Sequence, residues 1–348
     1  MDAVATHLAF FGFLALLSAA VVWGMTRVGV VDVPGERSSH VRPTPKGGGV
    51  GVVVAFLVGI LLPYRYAAIS RLADPYFRGV ILAATGIAVV AYMDDVLCWP
   101  ARVKLAAQVA AAGVAVASGL SVDVLHVPFF GTLVLGWAGV AVTLVWIVAA
   151  TNAMNFIDGL NGLASGVTVI SCLFLAGIAA GLGGWFVYFG ALMLAAGLLG
   201  FLPFNFPRAR IFMGDVGSQF CGFVLAVLAV AAGRFQAVEL SVVIVPMLLA
   251  GVLFDVAFTL VRRLLAGERL MQAHRSHLYQ VAHRSGMPAG WVTAVHWGFA
   301  TWGGLCCLGL VAADPAWKLA WLLLVLPPQV AWLAWVRRRA RRAGIGTW

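Results

Sequence analysis

Eleven times along this chain, an apolar run of 15 to 22 residues passes with almost no charged side chain, and that recurrence limits the fold more than any motif does. A helix needs about 20 apolar residues to cross the hydrocarbon core of a bilayer, and an open-ended chain satisfies its backbone amides there only as a helix. The runs are His7 to Met25, Gly47 to Pro63, Gly79 to Met93, Leu105 to Leu120, Thr132 to Ala150 and Leu163 to Leu182. They continue with Trp185 to Phe204, Ser218 to Gly233, Leu240 to Val261, Trp291 to Val311 and Leu319 to Val336. Hydrophobic residues make up 62% of the 348 and charged residues only 10%, whereas a soluble domain carries roughly 25% charge to cover its surface. Mean hydropathy is +0.99. The expectation is an all-α polytopic membrane protein of about eleven transmembrane helices, forming one domain over residues 1–348 with a basic tail at 337–348.

The first run has no basic segment before it and no small-residue cleavage site behind it, so it reads as a retained helix rather than a removed signal peptide. Alternating the runs through a bilayer puts 18 of the 23 Lys and Arg on one side, leaving only Arg65, Arg71, Arg78, Arg234 and Lys318 on the other. Cationic loops stay in the cytoplasm, which places the N-terminus outside and the C-terminus inside. The net charge of +10 is then topological and calls for no nucleic acid. The five cysteines show no Cys-x-x-Cys spacing, and four of them sit in apolar runs as small hydrophobes, so neither a disulfide framework nor a zinc ribbon is implied.

Four segments assigned to the cytoplasmic side carry more polar chemistry than topology requires. Asp94-Asp95 closes the third run, and Lys104 opens the fourth. Adjacent carboxylates at a membrane edge repel, which calls for a divalent metal or a lysine between them; the plain alternative is a solvated helix end. In Asn152-Ala-Met-Asn155-Phe-Ile-Asp158-Gly-Leu-Asn161-Gly162, residues three apart share a helix face, so four amide and carboxylate side chains project together. Such oxygens suit Mg²⁺, and amides also read a nucleobase edge. The third segment, Asn205 to Ser218, sets Asp215 between Gly214 and Gly217 ahead of a helix whose free amides suit phosphate, with Arg208 and Arg210 nearby.

The fourth is His274-Arg275-Ser276-His277-Leu-Tyr-Gln280, in which two histidines lack a third ligand at metalloprotease spacing, so sugar or phosphate contact reads better than zinc. A fifth stretch, Arg37-Ser38-Ser39-His40 through Lys46 to Gly49, has prolines and three consecutive glycines and reads as a rigid loop facing polar ligand groups. Asp255, inside the ninth run, is expected to be a structural pair satisfied by Thr259 or Arg262.

In this order, Arg-Ser-Ser-His…Pro-Thr-Pro-Lys-Gly-Gly-Gly, Met-Asp-Asp…Lys104, Asn-Ala-Met-Asn-Phe-Ile-Asp-Gly-Leu-Asn-Gly, Phe-Met-Gly-Asp-Val-Gly-Ser and His-Arg-Ser-His resemble the polyprenyl-phosphate N-acetylhexosamine-1-phosphate transferases. This is the glycosyltransferase family 4 group that contains the MraY and WecA branches. The matches run from Arg37 to Gln280, 244 of 348 residues. The resemblance implies a helical bundle with a cytoplasmic-face cleft. It also implies transfer of a sugar 1-phosphate from a UDP-N-acetylhexosamine to undecaprenyl phosphate, with release of UMP.

By that likeness Asp215 and Asn155 hold Mg²⁺, for which Mn²⁺ can substitute. Asp94, Asp95, Asp158 and Lys104 form the catalytic set, with Asp94 orienting or deprotonating the lipid phosphate. Asn161 and Phe212 recognise uracil, while Asn152, Lys46, His274, Arg275 and His277 complete the substrate contacts. MraY-like members carry a histidine-rich fourth segment and an aspartate where Asn161 stands. This chain therefore resembles the WecA branch, which implies initiation of O-antigen or another surface polysaccharide, with GlcNAc, FucNAc or QuiNAc as the sugar.

The likeness places the protein in the bacterial inner membrane and leaves room for a homodimer. The rival class is a transporter, which predicts polar residues near the midplane of several runs; Asp255 is the only acid so placed. A CDP-alcohol phosphotransferase needs an Asp-Gly-x-x-Ala-Arg core that Asp158-Gly-Leu-Asn-Gly-Leu163 does not supply.

Overall fold

The structure is a computed structural model that describes residues 3–28, 30–33, 42–66, 75–127, 131–234, 241–269, 272 and 274–346. The Arg37 to His40 part of the fifth polar stretch lies outside the described residues. The chain runs α1 (Ala3–Val28), β1 (Val30–Asp32), β2 (Thr44–Lys46), α2 (Gly49–Tyr66), α3 (Pro75–Leu97), α4 (Ala101–Ala117), β3 (Val124–Val127), β4 (Gly131–Val134) and α5 (Trp137–Ile157). It continues through α6 (Leu163–Gly181), α7 (Trp185–Asn205), α8 (Gly214–Arg234), α9 (Ile244–Leu248), α10 (Ala250–Leu265) and α11 (Leu278–Arg284). The last helices are α12 (Ala289–Ala312), α13 (Pro315–Leu324) and α14 (Pro327–Arg342).

Among the described residues, eight stretches are long and apolar enough to cross a membrane: α1, α3, α5, α6, α7, α8, α12 and the α13–α14 run. Eleven were expected; the other three runs are helical and, among the described residues, shorter or interrupted. Within α2 the apolar part is the shorter segment Gly49–Leu62. Helix α4 has 17 residues and carries Arg102, Lys104 and Gln108 in its first half. The ninth run breaks at Leu249 into α9 and α10, and α10 ends on Arg262 and Arg263.

The last run also breaks, at Pro327-Pro328, because a proline supplies no N–H and its ring crowds the carbonyl four residues back. The Leu324 carbonyl freed there accepts from the Trp302 indole N–H at 3.0 Å. Lipid-facing side chains such as Leu8, Leu16, Leu82, Val145 and Leu305 stay exposed, as expected where the solvent is hydrocarbon. The chain is a multi-pass membrane protein.

Helix α8 is the axis of the bundle, 94% buried and packed against α2, α3 and α5. Two small antiparallel hairpins lie outside the helices. One pairs β1 with β2, Val30 opposite Lys46 and Asp32 opposite Thr44; the other pairs β3 with β4 between α4 and α5. The first hairpin is strapped to the lead-in of α8. Phe212 N–H donates to Pro45 O (2.8 Å), Gly48 N–H to Phe212 O (2.9 Å) and Gly49 N–H to Met213 O (2.8 Å). The strap brings Lys46 to the same end of the bundle as the C-terminal ends of α3 and α5 and the N-terminal ends of α4 and α8.

Candidate active site

At that end the helices enclose an open cleft of about 350 Å³, lined by Lys46, Asp95, Asn155, Asp158, Asn161, Phe212 and Asp215 among others. Helix α8 starts at Gly214 and places Asp215 in its first turn, where the helix dipole favours a carboxylate. Helix α3 ends with Asp94 and Asp95, and α4 opens after Pro100 with Lys104 in its first turns. Lys104 Nζ stands 2.9 Å from Asp94 Oδ2 and 3.1 Å from Asp215 Oδ2. One ammonium thus binds two carboxylates from different helices, which is the lysine partner the paired acids call for. Asp94 and Lys104 do not line the cleft; they stand one contact behind Asp215.

Asp95 has a different duty from its neighbour. Its Oδ2 accepts the Val216 N–H at 3.1 Å and so caps the first turn of α8, while Lys46 Nζ lies 3.5 Å from Oδ1. Gly214 makes that approach possible. Its φ is +75°, and a Cβ there would stand 2.6 Å from Asp95 Oδ2. Asp94, by contrast, buries Oδ1 with no hydrogen-bond partner.

Asn155 Nδ2 donates to Asp215 Oδ1 and to Ser218 Oγ, both at 3.0 Å. Gln219 Nε2 reaches Asp215 Oδ2 at 3.2 Å. Asn152 follows a different course. One helical turn deeper on α5, it is covered by α4, and its Nδ2 donates to Gln108 Oε1 and to Val148 O (2.8 Å). Gln108 in turn donates to Gln219 Oε1 at 3.0 Å. Spacing by three puts Asn152 and Asn155 on one face, but the depth of each along the helix decides which meets the cleft; Asn152 does not line it.

Asp158 follows α5 at the cleft wall, and its carboxylate accepts no hydrogen bond among the described residues. Burial first, and then the charges of Asp215 and Asp95, push its carboxyl well above the usual carboxylate range. Asn161 reaches Pro207 O at 3.3 Å and its own carbonyl accepts from Thr293 Oγ1 at 3.0 Å, which fixes the loop that presents it. Asn205 holds the same loop, accepting from Gly162 N–H at 2.7 Å and donating to Ile211 O at 3.1 Å.

The histidine segment behaves otherwise than expected. His277 is buried, and its Nδ1 donates to Asp255 Oδ1 at 3.0 Å; a carboxylate only accepts, which fixes the proton on that nitrogen. The same carboxylate takes the Leu278 and Tyr279 N–H groups (2.9 and 3.0 Å) and Thr259 Oγ1 (3.3 Å). Asp255 is therefore a structural group, as expected, and Thr259 is one partner. Its main role is to cap α11, and His277 rather than Arg262 completes the set. That commitment removes His277 from the cleft wall.

His274 and Arg275 do not line the cleft either. His274 Nδ1 pairs with Ser276 Oγ at 2.9 Å, and burial, then the nearby His277 and arginines, lower its pKa to about 4. The segment's one lining side chain is Gln280. Sequence reasoning missed it, together with Asp32, which β1 brings opposite Thr44. The available signal for Asp32 was a lone acid soon after the first apolar run.

The donor chemistry fits a hard divalent cation: carboxylate oxygens of Asp215, the Asn155 side-chain oxygen, and the unpartnered Asp94 Oδ1 close behind. Among the described residues no three His, Cys, Asp or Glu side chains are grouped to hold a metal alone. Mg²⁺ needs no such group, since it takes one or two carboxylates and fills its octahedron with water and substrate phosphate. Even with the raised carboxyl of Asp158 set aside, four acids (Asp32, Asp94, Asp95, Asp215) stand against two lysines in and behind the cleft, an excess of acid that such an ion would offset.

Fold and site together define a class: a polytopic helical membrane protein that carries carboxylates, amides and a lysine in an open cleft at one end of the bundle. Comparison with known proteins agrees. Residues 77–233 match the model of glycosyl transferase family 4, a span that includes Asp94, Asp95, Lys104, Asn152 to Asn161 and Asp215. The chain is 34% identical over 255 residues to the "Probable undecaprenyl-phosphate N-acetylglucosaminyl 1-phosphate transferase" of Bacillus subtilis, covering 73% of this chain and 69% of that protein. It is 35% identical over 287 residues to the decaprenyl-phosphate N-acetylglucosaminephosphotransferase of Mycobacterium tuberculosis, covering 74% and 71%. A phospho-N-acetylmuramoyl-pentapeptide-transferase of Acetivibrio thermocellus is 30% identical over 239 residues, covering 63% and 70%. The chain belongs to glycosyl transferase family 4.

Proposed function

We propose that this protein transfers N-acetylglucosamine 1-phosphate from UDP-N-acetylglucosamine to undecaprenyl phosphate, releasing UMP, at the cytoplasmic face of a bacterial inner membrane. A lipid phosphate oxygen bonds to the sugar-bearing phosphorus of the donor, and the bond from that phosphorus to the UMP oxygen breaks. Such transfer needs alignment and charge neutralisation more than covalent help from the protein. The observation that carries the reading is the Lys104 ammonium held between Asp94 and Asp215 directly behind an acidic, amide-lined cleft. The names of the B. subtilis and M. tuberculosis relatives support the acceptor class and the sugar.

Asp215 and Asn155 would hold Mg²⁺, which when bound would neutralise the donor diphosphate. Lys104 and Lys46 add positive charge on two sides of the phosphates. Asp94, behind Lys104, orients that ammonium toward the acceptor, the orienting alternative of the two roles read from sequence. Asp158, at the wall without a bonded partner, takes the acceptor's proton. Asn161 hydrogen-bonds uracil and the Phe212 ring stacks on it. The product, a sugar on a lipid diphosphate, suits the first step of O-antigen or another surface polysaccharide. The excess of Lys and Arg in the connecting segments supports a cytoplasmic position for the cleft and the C-terminus.

The test is UMP release by purified protein given undecaprenyl phosphate, Mg²⁺ and a panel of UDP-N-acetylhexosamines including GlcNAc, FucNAc and QuiNAc. Metal-dependent UMP formation, fastest with the GlcNAc donor, is expected. No turnover with any donor, with the lipid acceptor shown to be accessible, would overturn the proposal. The uracil assignment fails if Phe212→Ala leaves UDP-sugar affinity unchanged.

A further inference from the structure

A second cavity, of about 430 Å³, opens where the end of α11 meets the end of α14, away from the cleft just described. Its walls are Ser285, Trp335, Arg338, Arg339, Arg342 and Ala343, with no acidic side chain among them. Residues 335, 338, 339 and 342 fall on one face of α14 by helical spacing, so the three arginines converge on the cavity rather than splaying around the helix. Arg339 is fixed in place: its Nε donates to Ser285 O at 3.2 Å, and its guanidinium stands 5.3 Å over the Trp335 ring. Arg338 and Arg342 are exposed and have no ion pair or hydrogen bond among the described residues. Trp335 stacks on the buried Trp332, ring centroids 5.1 Å apart, which anchors the aromatic floor.

Three guanidiniums crowded at one mouth repel, and among the described residues no acidic side chain lines the cavity to offset them. Topology alone asks only for positive charge near the helix end and is indifferent to the face that carries it. Arg337 and Arg341 meet that need from another face, Arg337 lying over Phe258 at 5.5 Å. The cavity also sits at the end of a membrane-crossing run, Pro315–Arg342, with a partly exposed tryptophan beside it. Arginine forks match phosphate oxygens, and tryptophan seats at the headgroup level of a bilayer. We infer that this groove binds the phosphate headgroup of an anionic membrane phospholipid. Helix α11 then links the two sites, since Gln280 lines the cleft and Ser285 the groove.

Native mass spectrometry of the full-length protein tests this, with phosphatidylglycerol, phosphatidylcholine or inorganic phosphate added to delipidated protein in neutral detergent. One phosphatidylglycerol is expected to be retained in preference to phosphatidylcholine. Each arginine near an anionic headgroup contributes roughly fivefold, so Arg338→Gln with Arg342→Gln weakens retention about 25-fold. The same charge change on the other face, Arg337→Gln with Arg341→Gln, changes it less than about twofold because those side chains do not reach the cavity. Should the glutamine pair not fold, Arg338→Lys with Arg342→Lys keeps the charge and loses the fork, and a weakening of several-fold is expected. Equal loss from both faces, no preference for phosphatidylglycerol, or undiminished retention in the glutamine and lysine pairs overturns the inference. Displacement of the lipid by millimolar inorganic phosphate also overturns it, in favour of a soluble anion.

Discussion

Asp255 and Asp94 are both buried carboxylates on helices at the same end of the bundle, and they differ in what is left over. Asp255 accepts from His277, from two amides of α11 and from Thr259, so its oxygens are fully engaged. Asp94 meets Lys104 through one oxygen and leaves the other with no partner. Burial by itself does not separate structure from function here. The difference between these two is what the fold leaves uncompleted, since a buried carboxylate oxygen with no partner is costly unless something else completes it.

Mutations can break that contrast. On the cleft side, Asp215→Asn removes the lining carboxylate that Lys104, Asn155 and Gln219 hold, and kcat for UMP release is expected to fall on the order of 10³-fold while the melting temperature in detergent barely moves. A large loss of stability instead would place Asp215 with Asp255 as a structural group. Asp158→Asn is expected to cost about 100-fold, the lower range for a proton acceptor. The raised pKa of Asp158 fixes the sign of the pH dependence: the wild-type rate climbs with pH as the carboxyl deprotonates, above the ordinary carboxylate range, and the variant loses that limb. A limb that survives in Asp158→Asn assigns the proton to another group.

On the filled side, Asp255→Ala orphans two buried amides and a histidine N–H. A destabilisation of about 3 kcal/mol is expected, at roughly 1–3 kcal/mol for each unsatisfied buried donor and with partial relaxation. Turnover per folded molecule should fall much less than in Asp215→Asn; the reverse pattern in denaturation and activity assays would collapse the distinction. Gly159→Ala sharpens the comparison at the junction, because a Cβ there would lie 2.1 Å from the Tyr279 hydroxyl, which donates to Phe156 O at 2.9 Å. Overpacking of that kind costs about 1–3 kcal/mol, readable as a lowered melting temperature. The smallest effect is expected at Asn152→Ala: about 1 kcal/mol from its amide bonds to Gln108 and Val148, with an unchanged KM for the UDP-sugar. A raised KM would return Asn152 to the substrate.

Much of the site was legible because its chemistry is local. Asp94-Asp95, Asn155, Asp158, Asn161 and Asp215 stand at the ends of apolar runs, in clusters denser than topology requires. The histidine segment misled for a physical reason. His274-Arg275-Ser276-His277 has the look of a ligand-contacting loop, but its partner Asp255 lies 22 residues earlier in another helix, and no pattern within the segment records that bond. Hydropathy responds to composition and not to continuity, so it marks eleven runs where eight stretches of the described residues are long and apolar enough to cross. The kink at Leu249 and the polar half of α4 leave apolar segments that are helical without being long enough by themselves.

What the sequence determined alone is the solvent and the repertoire: runs too apolar for water, helices as the only open structure that satisfies a backbone in lipid, and oxygen and ammonium groups gathered at their ends. The tertiary structure decided which of those groups remain available. Lys104 finds Asp215 across 111 residues, Asn152 turns to Gln108, and His277 is consumed by Asp255. Those choices depend on how deep each residue sits along its helix and which neighbour covers it, and depth and neighbour exist only once the helices have packed.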